Sequence, residues 1–211
     1  THDPRGLEKI LALLRSRGVL LIADEVMTGF GKTGTLFASD QLPTKPDLIC
    51  LSKALTAGLM PMGVTSCTQE VFEAFYSEDL GKGFFHGHTY TANPLSCTAA
   101  LAALELLQTK NIRQGISRIN GWHRDFEARI RHHPSVASTR TLGVIFAMDL
   151  ATPMERYGKL RDRLYRHFME KGIYLRPLGN TVYVLPPYII DEEAMGRVYQ
   201  GIEEAIELLG G

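Results

Sequence analysis

Two stretches decide the reading of this chain: Val19-Leu-Leu-Ile-Ala-Asp24-Glu25 and Leu48-Ile-Cys-Leu-Ser-Lys53. Each is a short all-apolar run that ends in a charged residue. Such a run fits a parallel strand buried on both faces. In open α/β sheets, ligands bind outside the carboxyl ends of the strands. Neighbouring strands would bring Asp24 and Lys53 to one edge, which makes them candidate reactive residues. Taken singly, each has an ordinary explanation. An Asp after a strand often starts a turn, and a Lys at a strand end is usually solvated.

Outward from these runs, apolar spacing predicts a helix over residues 7–17, closed by Gly18. A third strand is expected over 63–67, a short helix over 71–75 and a loop over 81–93. Pro94 suits the first turn of a long helix. In the second half, helices are expected over 112–131, 159–171 and 192–209, and a strand over 142–150. Residues 173–176 and 181–185 read as paired strands around a turn at 177–180. The fold class is therefore α/β with parallel strands over residues 1–110, followed by a smaller α+β domain over 111–211.

Composition removes several functions. The 23 basic and 23 acidic residues cancel, which argues against a nucleic-acid surface. No apolar run reaches membrane-spanning length, and no signal-peptide pattern is present. Cys50, Cys67 and Cys97 are odd in number and form no CxxC, which suits a reduced, cytoplasmic protein. The chain opens Thr-His-Asp-Pro-Arg without Met, a start expected of a piece of a longer protein.

Other motifs carry less. Gly29-Phe-Gly31-Lys-Thr-Gly34 satisfies GxGxxG. A dinucleotide site, however, needs a helix opening there and an acid ending the next strand, and that strand ends in Lys53. Gly31-Lys32-Thr33 lacks the upstream glycine of a phosphate-binding loop. His86 and His88 flank Gly87 without a third ligand at a recognisable spacing, so no metal is expected. Trp122 reads as a packing residue. Arg176, in an apolar stretch before Pro177, is either an internal ion-pair partner or a bidentate clamp on a carboxylate.

Asp24-Glu-Val-Met-Thr-Gly-Phe-Gly-Lys-Thr-Gly34, then Pro46-Asp-Leu-Ile-Cys-Leu-Ser-Lys53-Ala-Leu-Thr-Ala-Gly58, then the segment from His86 to Leu107 resemble the class III, fold-type I aminotransferases that use pyridoxal 5'-phosphate. The interval from Asp24 to Lys53 suits that family. The likeness implies a mixed, mostly parallel sheet for the first part of the chain. The resemblance implies that Asp24 pairs with the cofactor's pyridine nitrogen and that Lys53 bonds to its aldehyde. Val26 would pack under the ring, and His88 and Thr89 would reach the phosphate held by the neighbouring subunit of a homodimer. The run from Leu175 through Ile190 is similar to the branch of the family that serves biotin biosynthesis. Met27 agrees, because that branch lacks the Gln common at this position. By that likeness Gly87 and Arg176 contact 8-amino-7-oxononanoate, with S-adenosylmethionine the usual amino donor. The rival expectations are an ω-aminotransferase acting on ornithine, 4-aminobutyrate or β-alanine, and a chain without catalysis of its own. The phosphate-gripping turn and stacking aromatic of the family's first half have no counterpart here, so part of an active site is expected.

Overall fold

The computed structural model describes residues 3–154 and 158–210. The chain divides into two compact units, residues 1–109 and 110–211.

The first unit begins with α1 (Pro4–Ser16). Asp3 caps it by accepting from the Arg5 and Gly6 N–H groups, and Pro4 occupies the first turn. Gly18, at φ 68°, turns the chain out of the helix one residue past the Arg17 cap. Three strands follow: β1 (Ile22–Asp24), β2 (Leu48–Leu51) and β3 (Val64–Cys67). β1 and β2 run parallel, with Asp24 opposite Cys50, whereas β3 returns antiparallel to β2. Asp47 ties the start of the pair together. Its carboxylate accepts from the Leu21 N–H at 2.7 Å and from the Arg15 guanidinium at 2.5 Å. The Arg15 hydrogen bond holds the Asp47 carboxyl below the usual carboxylate range. After α2 (Gln69–Glu73) and a long exposed loop, α3 (Pro94–Leu107) closes the unit.

The expectation of a first strand buried on both faces is corrected. Leu21 is buried, but Leu20 and Ile22 are 58% and 66% exposed. Side chains alternate across a strand, and among the described residues nothing packs over the outward set. The strand is also shorter than expected, beginning only at Ile22.

The second unit holds α4 (Lys110–Ile130), β4 (Val136–Leu142), β5 (Ile145–Leu150), α5 (Lys159–Glu170), β6 (Thr181–Val184) and α6 (Glu192–Gly210). β4, β5 and β6 form an antiparallel sheet in that order. α4 buries Ile119, Phe126 and Ile130 on one face, at helical spacing. These meet Phe146, Met148 and Leu150 of β5 and Met195, Ile202 and Ile206 of α6 in one core. Trp122 packs against that core, as a packing residue should.

Two expectations fail here for identifiable reasons. The strand expected over 142–150 is found only over 145–150, as β5, and it is the second arm of a hairpin that begins at Val136. Gly143, at φ 59°, makes a two-residue turn with Val144, and β4 pairs back on β5. Residues 173–176 form no strand. Leu175 N–H bonds to Ile173 O, and Pro177 has no N–H to offer a ladder. β6 pairs with β5 instead, Tyr183 lying opposite Ala147.

Candidate functional site

β1 and β2 deliver Asp24 and Lys53 at their shared carboxyl end. Both side chains are exposed. Asp24 Oδ1 accepts the Val26 N–H at 3.0 Å, which folds the carboxylate over the turn that follows the strand. Val26 is half-buried. Lys53 opens a short 3-10 turn over Lys53–Thr56 at φ 43°, in the left-handed region that non-glycine residues avoid. Its surroundings are firm. Ser52 Oγ donates to Met62 O at 2.7 Å, and Thr56 Oγ1 donates to Met60 O at 2.6 Å. Leu55 packs with Phe30 and with Ala100 of α3. Ser96, also on α3, donates to Pro61 O at 3.1 Å.

Glu25 is the residue that sequence reasoning passed over. It follows the strand end yet is 2% exposed. One carboxylate oxygen accepts from Thr28 Oγ1 at 2.5 Å and from Ala38 N at 3.0 Å. The other accepts from Ser39 N at 2.7 Å. Burial pushes its carboxyl up, but the Thr28 hydroxyl and the Ser39 and Ala38 N–H groups outweigh burial and leave it below the ordinary value. The Gly-rich loop thus folds back onto an anion instead of cradling one. No α-helix opens after Gly29-Phe-Gly31; the loop ends in a 3-10 turn over Ala38–Gln41. Gly29 is required by close approach, since a Cβ there would lie 2.9 Å from Glu25 O. The signal available in sequence was an acid directly after an apolar run, with a hydroxyl three residues on.

Gly87, His88 and Thr89 lie on the exposed loop before α3. His88 caps its own turn: its Nδ1 accepts the Tyr90 N–H at 3.1 Å, and its backbone N–H donates to Thr91 Oγ1 at 2.9 Å. His86 stands beside the Phe84 ring, with centroids 5.6 Å apart. Arg176 belongs to the second unit and is exposed. It is neither in a strand nor buried, so the need for an internal ion pair disappears. Among the described residues, no carboxylate lies within ion-pair distance of it.

The donor set suits pyridoxal phosphate. An aldehyde needs a primary amine, a pyridinium needs a carboxylate, and a ring face needs an apolar neighbour. Lys53, Asp24 and Val26 supply these at one sheet edge. The profile described as "Aminotransferase class-III" matches residues 1–206. The chain belongs to the class III aminotransferases. This family uses pyridoxal phosphate, and the mixed α/β architecture is that of its solved members. An adenosylmethionine-8-amino-7-oxononanoate aminotransferase of Synechococcus elongatus is 40% identical over 206 residues, covering 97% of this chain and 48% of that protein. A Helicobacter pylori protein of the same name is 31% identical, covering 99% and 48%. The crystal structure of the Methanocaldococcus jannaschii protein of that name superposes with a TM-score of 0.88 at 33% identity, covering 95% of this chain and 48% of that one. An amine transaminase from an uncultivated Pseudomonas species, in its PLP-bound form, gives 0.85 at 27% identity, covering 94% and 47%. This class III chain therefore spans about half the length of the relatives it matches.

Proposed function

We propose that this chain carries the lysine-bearing part of a cytoplasmic, homodimeric aminotransferase that transfers an amino group to 8-amino-7-oxononanoate, giving 7,8-diaminononanoate. The observation that carries the reading is the parallel pair β1–β2, which ends in Asp24 on one strand and Lys53 just past the other. The names of the relatives supply the substrate, and S-adenosylmethionine is the proposed donor.

When bound, pyridoxal phosphate supplies an electron sink for the charge left as a proton departs from the amine-bearing carbon. Lys53 would hold the cofactor by its amine. Its free amine, Nζ, would take the proton from the donor's amine-bearing carbon as base and deliver it, as acid, to the carbon that bore the cofactor's aldehyde. Asp24 would keep the ring nitrogen protonated, its carboxylate held by the Val26 N–H. Arg176 offers a planar fork to the substrate carboxylate. Gly87 would leave room for the substrate, and His88 and Thr89 would reach the phosphate bound by the partner subunit.

Incubation with pyridoxal phosphate followed by borohydride should place a pyridoxyl group on Lys53, read by peptide mass. Lys53→Ala should remove it, and a label on another lysine would overturn the assignment. Arg176→Ala should weaken use of the keto-acid by about 10- to 100-fold, the worth of a charged hydrogen-bond pair. An equal loss in the half-reaction with the amino donor would make Arg176 structural. A second reading is favoured by one observation: an omega-transaminase of Thermomicrobium roseum and an omega-transferase of Vibrio fluvialis share the fold at TM-scores of 0.85 and 0.84. Comparing acceptor keto acids side by side separates the two readings.

A further inference from the structure

Asp24 alone does not fix its own direction. It is exposed, and its one recorded side-chain bond is to the N–H two residues on. What holds that turn in place is the next residue. Glu25 N–H continues the sheet by donating to Cys50 O at 3.0 Å. Glu25 O accepts Gly29 N–H at 2.9 Å and closes the turn. The buried carboxylate then reaches across the loop to the Ala38 and Ser39 N–H groups, thirteen and fourteen positions away. Phe30, held at φ 62° and 4% exposed, meets Phe37 edge-on at 5.7 Å and fills the space between. A side chain that satisfies three donors out of water is costly to alter, because each donor left unpaired carries its desolvation penalty.

We propose that Glu25 is a positioning residue: its carboxylate clamps the loop over residues 28–39, and the clamp keeps the Asp24–Val26 turn in the form that aims Asp24 at the cofactor ring. The cofactor part of this statement rests on the function proposed above; the clamp does not. Glutamine cannot replace the acid. The two carboxylate oxygens face different backbone N–H groups, so either orientation of an amide sets an NH2 against a donor. Thr28 supplies the third donor, nearest to Asp24.

The test is amide hydrogen exchange on the full chain, in the wild type, Glu25→Gln and Thr28→Val. In Glu25→Gln the Ala38, Ser39 and Val26 amides should exchange about tenfold faster or more. The amides of Ala100 and Leu104 in α3 should stay protected. The pyridoxal phosphate concentration giving half-maximal borohydride labelling of Lys53 should rise by a similar factor. Faster exchange at Ala38 and Ser39 with Val26 unchanged would overturn the proposal, since Glu25 would then hold the loop without governing Asp24. If Glu25→Gln also loses protection in α3, Thr28→Val decides: faster exchange at Val26 sustains the proposal, and no change overturns it. If the wild type takes no label on Lys53, the cofactor reading falls, while the exchange result still judges the clamp.

Discussion

The two units solve the burial problem differently. The second encloses a continuous core in which Ile119, Phe146, Phe168, Val182 and Ile202 are fully shielded. The first has a buried cluster of Phe30, Leu55 and Ala100, and it leaves Leu20, Ile22 and Leu101 at the surface. Polar contacts take over where apolar ones are thin: Asp47 with Arg15 and Leu21, Glu25 with its loop, Ser52 and Thr56 around Lys53. Among the described residues, the unit that bears Lys53 is thus held by hydrogen-bonded anchors more than by a core. Directional bonds place side chains more precisely than apolar packing of the same strength, which is what a site needs.

Truncation tests this contrast most strongly. Phe126, 1% exposed and stacked on Tyr199 at 4.2 Å, should cost about 3–5 kcal/mol as Phe126→Ala. Leu55→Ala in the first unit should sit near the lower end for such changes, about 2 kcal/mol. Denaturant unfolding of both variants gives the comparison, and equal losses would break it.

Acid should act next, through the second unit. His123 is fully buried, between Tyr199 Oη at 2.7 Å and Val144 O at 3.0 Å. The carbonyl can only accept, so Nε2 carries the proton and Nδ1 accepts from the tyrosine. Burial lowers the His123 pKa to about 4. The unfolded chain, with an ordinary histidine, takes up a proton first. Stability is therefore full above about pH 6.5 and falls as pH drops towards about 4, by roughly 3 kcal/mol in all. Unfolding free energies measured across that window should show the slope, and His123→Gln should flatten it. Asp149 adds a separate loss at lower pH. The Arg140 hydrogen bond holds it at about 2, so its contribution fades below about pH 4.

The smallest effect should come from the surface. Arg129 and Glu203 lie 3.5 Å apart and are 60% and 40% exposed. Glu203→Ala should change unfolding stability by less than about 0.5 kcal/mol. A larger change would mean that the second unit also leans on polar contacts.

What could be read from sequence follows the same division. Asp24 and Lys53 were legible as strand-end residues because an apolar run followed by a charge is a local pattern. Although its buried face was not singled out, the existence of α4 was legible too, because a helical pattern is local. β4 was not, since Val136–Leu142 is rich in Ser, Thr and Arg and becomes a strand by pairing with β5. The strand expected before Pro177 failed because β6, its expected partner, pairs with β5 instead. The Glu25 clamp was hidden for a different reason. Apart from the Thr28 hydroxyl, its partners are the backbone N–H groups of Ala38 and Ser39, which every sequence possesses and none advertises.

Lys53 itself carries a last consequence. Its backbone sits at φ 43°, a conformation that costs a residue with a Cβ about 1–2 kcal/mol and costs glycine nothing. Judged by the turn alone, glycine belongs there. Like Phe30, Ala57 and Ala92, Lys53 keeps a side chain where the backbone would prefer none, and here that side chain carries the amine proposed to hold the cofactor. A search for stabilising substitutions guided by backbone geometry would select against the residue proposed to hold the cofactor.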